Sequence, residues 1–318
     1  MRSDAFNRIG LIGSALLMTV SGCGGPAAVA SDAGAAHGGG LTDAGRRVDA
    51  GERGDAGTRD AGVDNDPIEI TPTDAQTEYI NHWLAQDHGE EFVSSLKWLP
   101  HFVHEQGELG VCLRLEFREP KRVPGWRIEE IRSMIAERIW LWQKGLIGQP
   151  HWIHDTPAPV KLFGIGATEQ VELVDPPDVP VYRNENAECP SSCFRFTYKH
   201  ERVPDYADCE HPSMTHFDFN IWYSDFDIGA AGHGGDWGTR LPWRLFLEEL
   251  RSPGPKRVTD HELGHVAGLP DVYNYPMELN GHARPEGIMA QAMSITAFDY
   301  LLLREVWRMA WENFYASP

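Results

Sequence analysis

The chain has 318 residues, with 28 Lys and Arg against 47 Asp and Glu, and its formal net charge is −19. Such an acidic balance excludes a protein built to bind nucleic acid, because phosphate contacts need an excess of basic side chains. The chain is long enough for a domain with a sizeable core, and after its N-terminus it has no apolar run that could span a bilayer.

The first 23 residues have the features of an export signal. A basic start is followed by an apolar stretch at 9–20, which is too short for a permanent membrane helix. The sequence Val-Ser-Gly-Cys at 20–23 resembles a bacterial lipobox, which implies that Cys23 is lipidated and becomes the mature N-terminus. An ordinary secretory signal is the alternative. Because Gly24 is not the Asp that usually retains lipoproteins at the inner membrane, we expect an outer-membrane lipoprotein facing the periplasm or the surface, or an extracellular protein.

Residues 24–66 have low complexity. Asp-Ala-Gly recurs five times, with almost no large apolar residue between the copies. Such a segment cannot bury enough surface to fold, so it is predicted to be a disordered, flexible tether. The signal carries +1 and the tether −4, so about −16 remains on residues 67–318, which we expect to form one domain.

Four cysteines follow Cys23: Cys112, Cys189, Cys193 and Cys209. In an exported protein an even number predicts two disulfides, and the sequence leaves three pairings open. A small metal site formed by the last three cysteines is the alternative, although a paired C-x-x-C pattern is missing.

Periodicity gives a coarse map of this domain. Thr73 or Asp74 can cap a short helix that carries Tyr79 and Trp83. Apolar residues at intervals of three and four predict a helix from about 128 to Gly145. Strands are predicted at 111–117, 160–165, 193–198 and 217–222, followed by a glycine-rich loop at 229–238. A capping box of Thr296 with Asp299 predicts a terminal helix to about Tyr315. This order of elements indicates an α+β fold.

The run H-E-L-G-H-V-A-G-L-P-D carries the chemistry. On a helix His261 and His265 project from the same side, so both can bind one zinc ion, and Glu262 beside them can hold an activated water. Gly268 suits the left-handed residue that ends a helix, and the chain reversal there would return Asp271 as a third ligand.

Composition shows how specific this signal is. A random H-E-x-x-H is expected in roughly one chain of this kind in twenty, and the added Gly and Asp reduce that to roughly one in three thousand. Pro255 is a suitable first-turn residue, and it predicts where this helix begins.

These residues resemble the metzincin metallopeptidases, in the version of the motif that ends in Asp. The segment Pro-Glu-Gly-Ile-Met at 285–289 is similar to the family's Met-turn, with Met289 as the methionine. The segment 265–273 is similar to secreted bacterial proteases of the snapalysin and immune-inhibitor-A types. The resemblance implies a zincin domain with a mixed twisted sheet, an active-site helix, the Met-turn and a C-terminal helix. Gln291 departs from the family, since some members carry a tyrosine two residues after the methionine.

The activity that the resemblance implies is zinc-dependent cleavage of peptide bonds by a secreted, lipid-anchored endopeptidase. His261, His265 and Asp271 would bind one Zn²⁺, and Glu262 would act as the general base. The partners would be protein or peptide substrates and the membrane of the anchor, and the enzyme is expected to be a monomer. The strand near 217–222 is predicted to pair with an extended substrate.

Other interpretations of the motif stay open. Glu286, His282 and His233 are rival metal ligands, but all three lie next to glycine or proline in loop-like sequence. A non-catalytic surface module that keeps zinc for binding or stability is the alternative function. A third interpretation is a disulfide-containing structural lipoprotein in which the motif is accidental.

Overall fold

The computed structural model describes residues 67–86, 108–155, 159–195, 206, 208–214, 216–225, 232–235 and 237–314. The predicted export signal, the lipidation of Cys23 and the tether at 24–66 lie outside these residues.

Five α-helices and ten strands are formed within the described residues. The helices are α1 (Asp74–Leu84), α2 (Gly125–Gln143), α3 (Trp243–Arg251), α4 (Arg257–Val266) and α5 (Ala297–Phe314). The strands are β1 (Leu109–Glu116), β2 (Lys121–Pro124), β3 (Val160–Ala167), β4 (Val171–Val174), β5 (Val181–Arg183), β6 (Phe219–Ser224), β7 (His233–Gly235), β8 (Gly238–Pro242), β9 (Glu278–Leu279) and β10 (His282–Ala283).

A six-stranded sheet in the order β5-β3-β1-β6-β8-β7 forms the centre of the fold. Five strands are parallel, and β7 alone runs antiparallel, paired with β8 at the edge of the sheet. Among the described residues, two further sheets have two strands each, β2 with β4 and β9 with β10. The protein is therefore a mixed α/β structure with a mostly parallel central sheet, which confirms the expected combination of helices with a mixed sheet.

Strand β1 is buried on both faces, as expected of a central parallel strand. Its alternation sends Leu113 and Leu115 into the main core, where the helices pack. Cys112 points the other way, into a smaller cluster with Phe163 and Phe217. A single strand thereby joins two apolar layers.

Two disulfides close that smaller cluster. Cys112 pairs with Cys189, and Cys193 pairs with Cys209. The prediction of two disulfides is confirmed, and the structure selects one of the three pairings. Because these cysteines are bonded to each other, the alternative of a cysteine metal site is wrong.

Several local predictions are confirmed. Thr73 caps α1 through a capping box with Gln76. Helix α2 presents the expected apolar stripe to the core and continues as a 3₁₀ turn to Leu146. Strands β1, β3 and β6 fall on the predicted segments, and α5 follows Thr296. None of the helices in the described ranges combines the length and apolarity that a membrane crossing requires.

Three predictions need correction. Cys193 ends a 3₁₀ turn and Phe194 makes one isolated bridge, so the described part of 193–198 is not a strand, and 196–198 lie outside the described residues. The glycine-rich segment is not simply a loop, because 233–235 and 238–242 form the β7–β8 pair. Strand β6 lies between β1 and β8, so it cannot be the edge that accepts a substrate.

Candidate metal centre

Helix α4 carries the motif, and its start is set by a side chain from the preceding helix. The Oε1 atom of Glu249 accepts a hydrogen bond from the backbone N–H of Val258 (2.6 Å). Its Oε2 atom accepts one from the hydroxyl of Thr259 (2.6 Å). A carboxylate at this position satisfies the free N–H groups and suits the helix dipole. The helix therefore begins at Arg257, two residues after the predicted Pro255.

The end of α4 also orients one ligand. Gly268 has φ +85°, the left-handed conformation predicted for it, and its N–H donates to the carbonyl of His265 (2.9 Å). The N–H of Leu269 donates to the carbonyl of Gly264 (3.0 Å), which completes a Schellman motif. The carbonyl of Leu269 then meets Nδ1 of His265 at 2.8 Å. One turn thus reverses the chain and fixes an imidazole.

The reversal brings Asp271 to the two histidines. Its Oδ1 atom lies 3.1 Å from Nε2 of His261 and 3.1 Å from Nε2 of His265. Two ligands of a tetrahedral zinc ion, each about 2.0–2.1 Å from the metal, are separated by about 3.3 Å. Among the described residues this is the one group of His, Cys, Asp and Glu side chains arranged to hold a metal ion.

A hydrogen bond at Nδ1 of each imidazole determines that Nε2 is the nitrogen that can bind a metal ion. Nδ1 of His261 lies 3.0 Å from the carbonyl of Ile288, and Nδ1 of His265 faces the carbonyl of Leu269. A carbonyl oxygen can only accept a hydrogen bond, so each Nδ1 atom carries a proton. In the neutral imidazole the Nε2 atom then has a free lone pair. With both rings neutral, these lone pairs converge on Asp271 Oδ1, a buried atom that then has no hydrogen-bond donor among the described residues. Three acceptor atoms around one point fit a bound cation.

The electrostatics of the metal-free arrangement agree with this interpretation. Burial alone would raise the pKa of Asp271, but the hydrogen bonds that His261 and His265 donate when their rings are protonated outweigh it and hold the pKa below its usual value. Burial acts to lower the pKa of His261, and its contacts with Asp271 and the Ile288 carbonyl raise it overall. Without a metal, a proton on His261 partly supplies the positive charge that the site needs.

Tyr273 controls which oxygen of Asp271 is available, and it was not identified from the sequence. Its hydroxyl donates to Asp271 Oδ2 (2.8 Å), and its ring stacks beside His261 at a centroid distance of 6.0 Å. With Oδ2 engaged, Oδ1 is left to face the histidines. A guanidinium nitrogen of Arg284 donates to the Tyr273 carbonyl (2.8 Å), which holds this loop in place. A tyrosine two residues after the third ligand was the available signal.

Glu262 lies beside the ligands under the edge strand, and its side chain is only 5% exposed. A Cβ atom at Gly232 would lie 2.6 Å from its Oε1 atom, and one at Gly234 would lie 2.4 Å from its backbone carbonyl. Burial raises the pKa of Glu262, and the nearby histidines His265 and His261 act against that shift. Within the described part of the chain no hydrogen bond engages this carboxylate, so it remains available to a water molecule.

Met289 lies fully buried against the helix, where a Cβ atom at Gly264 would be 2.4 Å from its sulfur. The turn that presents it is held by Asp299, which accepts from the N–H groups of Ile288 (2.8 Å) and Met289 (3.2 Å). Asp299 also accepts from the N–H of Thr296 (2.8 Å), as the predicted capping box requires. No pattern in the sequence predicted that Asp299 would also accept hydrogen bonds from the turn that carries Met289.

The rival ligands do not join the group. His282 lies in β10 and Glu286 in the loop before Met289, and neither belongs to the metal-binding cluster. His233 lies on β7 and interacts electrostatically with Glu262, so it borders the site without being a ligand. Gln291 adopts φ +70°, and its carbonyl accepts from Arg257 (3.2 Å).

Comparison of the chain with protein-family models, with curated proteins and with solved structures gives no match. The family resemblance therefore depends on the motif residues and on the geometry in which the fold arranges them.

Proposed function

We propose that the protein is a zinc-dependent endopeptidase of metzincin type, with a zincin-like catalytic domain. The observation that carries the proposal is the convergence of two imidazole Nε2 atoms and Asp271 Oδ1, with Glu262 buried beside them. The donor set of two His and one carboxylate is one that zinc accepts, and it leaves a coordination position for water or substrate. A zinc ion held by these residues would polarise a scissile carbonyl and lower the pKa of a water molecule.

The protein residues perform the remaining steps. Glu262 accepts the proton of the attacking water and then delivers it to the departing amine, a role suited to a carboxylate whose pKa burial has raised. The two backbone carbonyls behind the imidazoles keep each ring in the tautomer whose Nε2 can bind the metal. Tyr273 keeps the second oxygen of Asp271 away from the metal position.

The edge strand β7 is the surface against which we expect an extended peptide to bind. Among the described strands it is the outermost of the central sheet, next to β8, and two of its three residues are glycine. A strand at the edge of a sheet can form backbone hydrogen bonds with a substrate and makes little demand on its sequence. Because β7 packs on α4, a peptide there would pass over Glu262 and the metal position.

The expected context is a monomeric lipoprotein whose domain is anchored by lipidated Cys23 through the tether at 24–66, in the cell envelope or outside the cell. This part of the proposal depends on sequence features alone, and the substrates would be proteins that reach that compartment.

Elemental analysis together with a Glu262→Ala variant tests the function. We expect one zinc per chain in both proteins, and casein or gelatin cleavage reduced at least about 10³-fold in the variant, because the step of proton transfer is lost. Glu286→Gln, which removes the rival carboxylate, is the matched control and should keep both zinc and activity.

A non-catalytic zinc module is the alternative, and the low exposure of Glu262 is the observation that favours it. In that case wild type and Glu262→Ala would bind zinc equally, and neither would cleave protein. A stable domain without any zinc would contradict both functions.

A further inference from the structure

A groove of about 510 Å³ is lined by residues 121–127 and 243–251, none of which belongs to the group of metal ligands. Five basic side chains line it, and Glu248 is the one carboxylate among the lining residues. The basic residues are Lys121, Arg122, Arg127, Arg244 and Arg251. On a chain with a net charge of −19, such a cluster is a local reversal of sign.

The groove collects the cations from two separate parts of the chain. Strand β2 and the first turn of α2 supply one wall, and α3 supplies the other. The first turns of both helices, which contain Arg127 and Arg244, hold no acidic residue. Acidic residues are the usual complement of a helix N-terminus, so both helix dipoles here add to the positive field instead of being neutralised.

Both helices also begin without a capping side chain. Their N-cap residues are Pro124 and Pro242, neither of which makes a side-chain hydrogen bond to the helix. The N–H groups of a helix start that no side chain caps are suitable donors for an anion, and here two such starts border one groove lined by arginines.

Carboxylates engage four of the five cations. Arg127 contacts Glu130 on the same helix and its side chain is only 19% exposed, whereas the other three pairs are loose or exposed. Lys121 lies 3.9 Å from Asp225, and Arg122 lies 3.6 Å from Glu172, with both partners of the second pair 69% exposed. Arg244 pairs with Glu248 at 2.9 Å, and its side chain is 80% exposed. Exposed pairs of this kind contribute little to stability, so their cations can turn towards a bound anion.

Aromatic residues give the groove an apolar part. Trp243 is buried in its wall, whereas the ring of Trp126 is 62% exposed at the rim. The guanidinium of Arg127 lies over that ring, 4.4 Å from its centroid. A ligand that fits both features has an anionic group and an apolar portion.

We propose that this groove is a binding site for a phosphate-bearing ligand, with the phosphate held between Arg127 and Arg244 at the two helix starts. The inference is independent of the metal centre and of the proposed peptidase activity. A lipid headgroup and a soluble phosphate ester share this chemistry, and the experiment separates them.

The test uses the full-length protein and inorganic phosphate, with calorimetric titration at low ionic strength. We expect saturable binding that weakens about tenfold or more in Arg127→Gln/Arg244→Gln, because two of the charged donors are lost. Arg132→Gln is the matched control, since Arg132 lies on the same helix and also pairs with a glutamate three residues away, but it does not line the groove. Arg122→Gln/Arg251→Gln removes two other lining cations and should weaken binding in the same sense.

Co-sedimentation with phosphatidylcholine vesicles, with and without phosphatidylglycerol, identifies the source of the phosphate. Only the difference between the two vesicles counts, because a lipid chain at Cys23 would attach to both. A phosphatidylglycerol-dependent gain that the Arg127/Arg244 variant loses supports a headgroup site, and phosphate binding without that gain supports a soluble ligand. Absence of saturable phosphate binding in the wild type, or equal binding by the Arg127/Arg244 variant, overturns the proposal.

Discussion

The candidate metal centre and the basic groove are both polar, but they are constructed in opposite ways. At the candidate centre each ligand side chain has a hydrogen bond on the side away from the metal position. Backbone carbonyls accept from His261 and His265, and the Tyr273 hydroxyl donates to Asp271. In the groove Arg122 and Arg244 stand on exposed side chains, and their carboxylate partners are exposed as well. The difference indicates that the candidate centre would be organised before an ion binds, whereas the groove would have to order its side chains around a ligand.

The two regions also differ in what a sequence reveals. His261, Glu262, His265 and Gly268 lie within eight positions, so helical geometry and one glycine turn were enough to predict their arrangement. The groove joins residues 121–127 to residues 243–251, and only the packing of α3 beside β2 brings them together. No local pattern could indicate that meeting.

The order of strands in the sheet could not be predicted from the sequence for the same reason. Residues 217–222 have the pattern of a strand, and that much was predictable. Whether a strand lies at the edge of a sheet depends on pairings between segments far apart in sequence. Among the described strands the edge is formed by His233–Gly235, a stretch whose glycines indicated a loop. Those glycines have a tertiary cause, since side chains at 232 and 234 would meet Glu262.

A fall in pH is expected to weaken binding at the candidate metal centre far more than binding in the basic groove, and this is the largest expected difference between the two regions. Zinc needs neutral His261, whose pKa is raised, so protons compete with the metal from a higher pH than for an ordinary histidine. Asp271, whose pKa is lowered, stays ionised over the same range. We expect zinc affinity to fall at least about 10²-fold between pH 8 and pH 5 as ligand protons must be displaced.

Sulfate binding in the groove should change little over that range, because arginine and sulfate keep their charges. Competition of a chelator for zinc, and calorimetric titration with sulfate, measure the two dependences. Parallel pH profiles for zinc and sulfate would contradict the comparison.

Gly234→Ala tests whether the edge strand and the site helix depend on close packing. The new Cβ atom would lie 2.4 Å from the Glu262 carbonyl and 2.9 Å from the His265 Cβ atom, so β7 must move away from α4. We expect peptidase activity to fall on the order of 10²-fold, because displacement of catalytic groups by about 1 Å has effects of that size.

Gly254→Ala is the control for this substitution, since its Cβ atom would meet nothing closer than the Ser252 hydroxyl at 3.5 Å. Its activity should stay within about twofold of wild type, as is usual for substitutions away from packed features. Thermal unfolding of both variants distinguishes a local displacement from general destabilisation. Equal activity of Gly234→Ala and Gly254→Ala would mean that β7 does not position the site.

Tyr273→Phe has the smallest expected effect. It tests whether the Tyr273 hydroxyl holds the Asp271 carboxylate in position for a metal ion. The variant keeps the ring beside His261 and removes only the hydrogen bond to Asp271 Oδ2. Because partners of metal ligands typically contribute 10–100-fold to affinity, we expect zinc binding to weaken about tenfold while the fold is unchanged. Tyr182→Phe, distant from the ligands in sequence and packed near Phe163, is the matched control. If Tyr273→Phe bound zinc as tightly as Tyr182→Phe, the carboxylate would be oriented by its backbone alone, and the contrast between a fixed cation site and an adjustable anion groove would narrow to the two histidines.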